Sequence, residues 1–280
     1  MPELPEVETI ARLLREGEHS GSNSLIGCEI SSAQVLWQRT LAGINPEDFS
    51  NKITGQFIQS VSRRGKFLLI SLTCDTLLIH LRMSGDLRVE SIYGEGGTLR
   101  SIQKHDRLVL NFTNEIRLAF HDTRKFGQVW LVSDPEEILG TLGPEPLDPQ
   151  LTPEDFYAML HERGRQLKPL LMDQSFLAGL GNIYTDEALH LARIHPLKQS
   201  NQLSGEEADR LLNAIRSVLQ EGIHRNGASI DWVYRGGEFQ NHFRVYGRTG
   251  EPCPVCDTPI QRLLVGQCGT HICPKCQPTP

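Results

Sequence analysis

Near the C-terminus, Cys253-Pro-Val-Cys256 and Cys273-Pro-Lys-Cys276 form two C-x-x-C pairs with sixteen residues between them. That spacing lets four thiolates converge on one tetrahedral zinc ion. A four-cysteine site is closed, so the metal holds the fold together and leaves no position for a reacting water. The chain must double back there as a hairpin, and the stretch between the pairs, Leu263 to Thr270, stands free to meet a ligand. Seven cysteines are an odd count, with Cys28, Cys74 and Cys268 left over. The acidic N-terminus lacks the basic and apolar regions of a signal peptide, so we read the chain as cytoplasmic. Disulfides are rare in that compartment, which favours metal binding over a disulfide framework.

A length of 280 residues suits two domains with a small appendage. No apolar run reaches the roughly 18 residues that span a membrane. The net charge of −6 counts against a phosphate-bearing partner in bulk, so local clustering matters more. Arg63, Arg64 and Lys66 form one basic cluster and Arg124 with Lys125 another. The last fifty residues add Arg235, Arg244, Arg248, Arg262 and Lys275.

The N-terminus reads Met1-Pro-Glu-Leu-Pro-Glu-Val-Glu-Thr-Ile10. Removal of Met1 makes Pro2 a terminal secondary amine with Glu3 directly behind it. An α-amino group has a pKa of about 7.7–8.0, so a useful fraction is nucleophilic at neutral pH, unlike an ordinary lysine near about 10.4. Attack of such an amine on a sugar C1′ gives an iminium, with Glu3 placed to move protons. Leu4, Val7, Ile10, Ala11 and Leu14 recur at helical spacing. Pro5 suits a first turn, and Glu6 and Glu8 suit the positive helix end. The terminus is therefore pinned by a buried helix.

After a Gly/Ser-rich break from Gly17 to Ser24, short strand-like runs continue to Val132. They are Glu29–Trp37, Phe57–Ser62, Phe67–Leu72, Leu77–Leu81, Leu108–Phe112, Ile116–Phe120 and Gln128–Val132, with a short helix expected over Asn45–Lys52. Seven short strands in about a hundred residues point to a sandwich or barrel. Gly143-Pro-Glu-Pro-Leu-Asp-Pro149 can continue neither helix nor central strand. Beyond it Thr152–Arg163, Asn182–Ala192 and Glu206–His224 have helical spacing. The expected fold class is α+β, in four parts. Residues 1–142 form an N-terminal helix with an antiparallel β-sandwich. Residues 143–149 form a Pro-rich linker, 150–240 a helical domain, and 241–280 a zinc-finger β-hairpin.

Pro-Glu-Leu-Pro-Glu-Val-Glu-Thr resembles the N-terminal signature of the formamidopyrimidine-DNA glycosylase family, which includes endonuclease VIII. Further motifs follow in the family's order. Arg64-Gly-Lys66 resembles the motif whose lysine is catalytic, and Lys104-His105-Asp106 one whose histidine binds DNA. Lys168-Pro-Leu-Leu-Met-Asp-Gln174 with Gly179-Leu-Gly-Asn182-Ile-Tyr-Thr-Asp-Glu187 resembles the helix–two-turns–helix element. Ala192-Arg-Ile-His-Pro196 completes that pattern, and Phe243-Arg-Val-Tyr-Gly-Arg-Thr-Gly-Glu-Pro-Cys253 matches the approach to the zinc finger. Alone, Lys66 reads as a strand-edge lysine, Met83 and Phe126 as core residues, and the glycine-rich element as a capped helical hairpin.

The resemblance implies a bifunctional DNA glycosylase and AP lyase of base excision repair. Its implied substrate is damaged double-stranded DNA carrying oxidised purines such as 8-oxoguanine or formamidopyrimidines. Pro2, Glu3 and Lys66 would be catalytic, the last as an acid in the elimination. Met83, Arg124 and Phe126 would fill the void left when a nucleotide is turned out of the stack, a set that resembles the formamidopyrimidine branch. His105, Arg124, Arg163, Lys168 and Asn182 would contact DNA, in a cleft between the two domains. One structural zinc would sit on Cys253, Cys256, Cys273 and Cys276, and the chain would act as a monomer.

Two departures bear on this. Where the family's hairpin tip carries Gln-Arg before a Thr, this chain has Gly266-Gln-Cys268-Gly-Thr270. That arginine is linked to phosphate contact and to δ-elimination, and a thiol supplies no guanidinium fork; His271 and Arg262 are the candidate substitutes. The stretch Ala228–Gln240 is shorter than the family's capping loop. An oxidised-pyrimidine glycosylase of endonuclease VIII type and a non-catalytic damage-binding protein remain as alternatives.

Overall fold

The computed structural model describes residues 1–17, 24–229 and 236–280. The break at 17–24 and the capping stretch at 228–240 therefore lie partly outside the described residues, as does Arg235. The chain divides into two compact units. One is built on residues 1–2 and 6–140, the other on 3–5, 141–229 and 236–280.

The first unit contains α1 (Leu4–Glu16) from Glu6 onward, α2 (Pro46–Ile53) and eight strands. The strands are β1 (Ile30–Val35), β2 (Ile58–Arg64), β3 (Phe67–Leu72), β4 (Thr76–His80), β5 (Gly85–Ser91), β6 (Asp106–Phe112), β7 (Ile116–Asp122) and β8 (Gln128–Val132). They form two antiparallel four-stranded sheets in the orders β1-β6-β7-β5 and β2-β3-β4-β8. β5 is an element that the seven expected strands do not include. Only Leu87 and Val89 supply its apolar alternation, and β7 pairs with it along seven registered positions.

Alternation sets what each sheet buries. Leu68, Ile70 and Leu72 of β3 face inward while Phe67, Leu69 and Ser71 are half-exposed. They meet Leu108 and Leu110 of β6 and Leu118 and Phe120 of β7 in one apolar cluster. Val7, Ile10, Ala11 and Leu14 of α1 join that cluster. The helical period of the N-terminus is thus a buried face, each large apolar side chain contributing about 1.5–3 kcal/mol. α2 starts as expected, with Asn45 capping Asp48 N–H at 2.9 Å and Pro46 in the first turn.

The second unit holds α4 (Pro153–Arg163), α5 (Leu167–Leu171), α6 (Asn182–Ala192) and α7 (Gly205–His224), with a hairpin of β9 (Gln261–Val265) and β10 (Cys268–Ile272). A short α3 (Glu136–Leu139) precedes it. Capping boxes at Thr152/Asp155 and Ser204/Glu207 fix the starts of α4 and α7. The Pro-rich stretch 143–149 is tied into this unit: Gly143 N–H donates to Gln174 O, Ala178 N–H to Pro144 O, and Arg216 Nε to Pro146 O.

Candidate active site

Pro2 is buried and Met1 is half-exposed. Glu3 is seated by the start of α6, where its carboxylate accepts the N–H groups of Gly181 at 2.6 Å and Ile183 at 2.9 Å. Two otherwise orphan N–H donors and the positive end of a helix hold and orient the carboxylate. The motif Gly179-Leu-Gly181 exists for this docking. A Cβ on Gly181 would clash with the Glu3 carboxyl carbon, and one on Gly179 (φ +108°) would lie 2.6 Å from Leu4 Cδ1. Leu4 N–H adds a 3.0 Å bond to Gly179 O.

Lys66 stands in the two-residue turn between β2 and β3, after Gly65 in left-handed backbone (φ 57°), and is 4% exposed. Arg63 of the same cluster is held by Glu8 at 2.9 Å.

Met83 and Phe126 are 43% and 53% exposed, which is unusual for large apolar side chains and fits neither into the core. Each follows a non-glycine residue in left-handed backbone, Arg82 (φ 53°) and Lys125 (φ 63°). One buried carboxylate organises both turns. Asp122 accepts the Ser84 hydroxyl and the N–H groups of Arg124 at 3.1 Å and Gly127 at 2.7 Å, and Ser84 Oγ also accepts Arg124 N–H at 3.1 Å. Arg82 N–H donates to His80 Nδ1 at 3.0 Å. Burial and the nearby Arg82 and Lys66 charges depress the His80 pKa to about 3, so it remains a neutral acceptor. The Arg124 guanidinium lies 5.4 Å from the centre of the Phe126 ring.

His105 is half-buried beside Arg107, whose Nη2 lies 3.3 Å from His105 Nδ1 and whose Nε donates to Asp122 O at 2.7 Å. Partial burial and the charges of Arg107, His121, Lys104 and Lys125 depress its pKa. A local positive field thus covers this face despite the net negative chain.

In the second unit the expected DNA contacts separate. Arg163 is exposed in the last turn of α4. Asn182 is half-buried at the start of α6, and its Oδ1 has no partner among the described residues. Two of that helix's leading N–H groups are engaged by Glu3 rather than open to a phosphate. Lys168 differs most from expectation. It is 0% exposed, and its Nζ donates to Asp186 Oδ1 at 2.6 Å and Gly269 O at 3.2 Å. An interior lysine with two acceptors ties α5 and α6 to the hairpin instead of facing solvent. Asp186 also accepts His271 N–H at 2.8 Å. His271 is buried there and cannot stand in for the missing tip arginine. Arg262 is exposed, has no ion pair among the described residues, and its Nη2 lies 2.8 Å from where a Gly269 Cβ would be.

The four cysteines converge, with all Sγ atoms within 4.8 Å of one another. Sγ separations of 3.9 Å (Cys253–Cys276), 3.4 Å (Cys256–Cys273) and 3.5 Å (Cys276–Cys256) match the about 3.8 Å edge of a tetrahedron with zinc–sulfur bonds of about 2.3 Å. Backbone N–H groups of Val255 and Cys276 point at Cys253 and Cys273 Sγ. The donor set fits one structural zinc. Glu187, fully buried, accepts the N–H groups of Arg244, Val245 and Tyr246 at 2.9 Å each and fixes the approach to the finger.

The models for the formamidopyrimidine-DNA glycosylase N-terminal domain, its H2TH domain, and the zinc finger found in FPG and IleRS match residues 1–129, 142–233 and 250–279. A formamidopyrimidine-DNA glycosylase of Protochlamydia amoebophila is 44% identical over 99% of both chains. The chain belongs to the formamidopyrimidine-DNA glycosylase family. A second member, from Herpetosiphon aurantiacus, is 42% identical over 99% of this chain and all of its own. Lactococcus lactis Fpg, solved in complex with DNA containing N7-benzyl-Fapy-dG, is 37% identical, with a TM-score of 0.89 over 99% of this chain and all of that one.

Sequence reasoning about the family's motifs passes over Ser84, Asp122, Asp186 and Glu187. Asp186 and Glu187 lie inside the helix–two-turns–helix motif, and Ser84 and Asp122 flank the expected wedge residues Met83 and Arg124. What marks them is burial of a polar side chain together with several distant N–H donors, which sequence alone does not display.

Proposed function

We propose that this enzyme excises oxidised purines from duplex DNA and then cleaves the strand as an AP lyase. The observation that carries the reading is the seating of Glu3, immediately after Pro2, on the first N–H groups of α6 by way of Gly179 and Gly181. Such a seat fixes where the N-terminal amine stands once Met1 is removed. Relatives solved in complex with DNA containing carbocyclic 8-oxo-G or N7-benzyl-Fapy-dG support the purine substrate. The exposed Met83, Arg124 and Phe126 suit a wedge that replaces an extruded nucleotide.

The Pro2 nitrogen attacks C1′ and the glycosidic bond breaks, the departing base taking a proton relayed by Glu3. The attacking nitrogen then gives up its proton, and its lone pair forms the C1′=N iminium as the C1′–O4′ bond breaks and the ring oxygen takes up a proton, opening the sugar. Loss of a C2′ proton expels the 3′ phosphate, with Lys66 serving as an acid in that β-elimination. Water hydrolyses the iminium and frees Pro2. The zinc site holds the hairpin and takes no part in these steps. Cys268 stands at the position linked to the second elimination, so β-elimination products should dominate. Arg163, Asn182, His105 and Arg124 serve as DNA contacts, and Lys168 acts through the hairpin it anchors. The enzyme acts as a monomer.

Borohydride trapping tests this with two duplexes, one bearing 8-oxoguanine opposite cytosine and one bearing an abasic site. A covalent adduct on both, mapped to Pro2 and lost in Pro2→Gly, is expected. An adduct on the abasic duplex alone moves the lesion to another class, and a pyrimidine panel follows. No adduct on either, with Met1 removed and zinc bound, overturns the catalytic assignment in favour of damage binding.

A further inference from the structure

We infer that Trp37 is a positioning residue for the Arg124–Phe126 turn, acting through Lys125. The inference rests on the wedge reading proposed above. Lys125 sits between the two expected wedge residues in left-handed backbone, φ 63°, which disfavours a side chain with a Cβ. Its Nζ lies 3.9 Å from the centre of the Trp37 ring, well inside cation–π range. That contact offsets the backbone cost and fixes the direction in which the chain delivers Phe126. Arg39 also faces the ring, at 5.9 Å, on the margin of such contacts.

The backbone that carries the ring is itself anchored. The Trp37 main-chain N–H donates to Arg107 O at 3.2 Å and the Leu36 main-chain N–H donates to the same oxygen at 2.9 Å. Arg107 Nε in turn donates to Asp122 O, and the Asp122 carboxylate accepts the Arg124 and Gly127 N–H groups. Arg124 is thus held by Asp122 and Lys125 by Trp37, two braces of one turn that meet at Arg107. Met83's turn has a comparable brace, since left-handed Arg82 is fixed by His80 Nδ1. The two exposed apolar side chains are therefore delivered by strained residues that buried or half-buried rings hold in place.

The test compares Trp37→Leu, Trp37→Phe, Lys125→Gly and Trp37→Leu/Lys125→Gly in the full-length zinc-bound enzyme. Single-turnover base release from the 8-oxoguanine duplex is measured beside β-elimination at a preformed abasic site. Trp37→Leu should slow base release about tenfold, the scale of one left-handed residue left unsupported, while elimination changes less than about threefold. Trp37→Phe keeps a π face and should stay within about threefold of wild type. Glycine adopts the left-handed turn without a hold, so Trp37→Leu should cost about nothing further in the Lys125→Gly background. Equal loss of both activities, wild-type base release in Trp37→Leu, or a full tenfold loss from Trp37→Leu in that glycine background each overturns the inference. Amide hydrogen exchange at Arg124 and Gly127, faster in Trp37→Leu but not in Trp37→Phe, reads the turn without DNA. If wild-type enzyme releases no base from any duplex, the glycosylase reading fails, and unchanged exchange in Trp37→Leu then sinks the positioning role separately.

Discussion

Single residues decide the chemistry at the N-terminus, and glycines decide where that terminus stands. Gly181 leaves room for the Glu3 carboxyl that an alanine would occupy. Gly181→Ala should therefore displace Glu3 while leaving α6 capped and helical. Base release should fall by about a hundredfold, the lower range for a misplaced acid–base group, with zinc content and the circular dichroism spectrum unchanged. Elimination at a preformed abasic site should fall less, because the base has already left. A Gly181→Ala enzyme with wild-type base release would show that Glu3 needs no such seat. The same scale shows what could be read in advance. The convergence of the four cysteines is legible because it follows from local spacing, whereas chain position alone makes Pro2 and Glu3 candidates. The pairing of Lys168 is not legible, because Asp186 and Gly269 lie 18 and 101 residues away and only the folded unit brings them to its ammonium.

At the scale of elements, α6 is the organiser of the second unit. Its N-terminus seats Glu3, Asp186 holds Lys168 and β10, and Glu187 gathers three N–H groups from the approach to the finger. The helix was legible from its apolar spacing, but the burial of its polar residues was not. Asp186 and Glu187 are in fact fully buried, because every carboxylate oxygen there meets a donor. β5 was missed for a related reason, since pairing with β7 rather than its own composition makes it a strand. The Lys168–Asp186 pair makes a sharp prediction. Burial disfavours the charged ammonium and Asp186 restores it, so removing one partner strands the other. Lys168→Met and Asp186→Leu should each cost about 3–5 kcal/mol, whereas the double substitution should cost clearly less than the sum of the two. Urea denaturation of the three variants measures this, and strict additivity would refute the pairing as the source of stability.

Across the whole molecule, each unit buries a neutral histidine, and acid should act on both. Burial depresses His80 to about 3, helped by Arg82 and Lys66, and depresses His190 to about 4. In the unfolded chain both titrate near about 6.5. Between pH 6.5 and each folded value the unfolded state binds a proton that the folded state does not, so stability rises with pH across that window and is lost on acidification, by up to about 1.4 kcal/mol per pH unit per histidine. His190 Nε2 lies 3.4 Å from Cys253 Sγ, so its protonation also bears on the four-cysteine site. His80 is the cleaner probe, with Phe67 4.7 Å away and Trp130 5.7 Å beyond Phe67 as a fluorescent reporter. A Trp232→Phe background leaves Trp37 and Trp130, both in the first unit, as the only tryptophans. In that background the urea stability of the first unit should fall between pH 6.5 and pH 5, and His80→Leu should be less stable at pH 7 but clearly flatter over the same interval. Parallel slopes in the two proteins would assign the acid sensitivity to other groups, and would leave the Arg82 turn without a histidine that has to stay neutral.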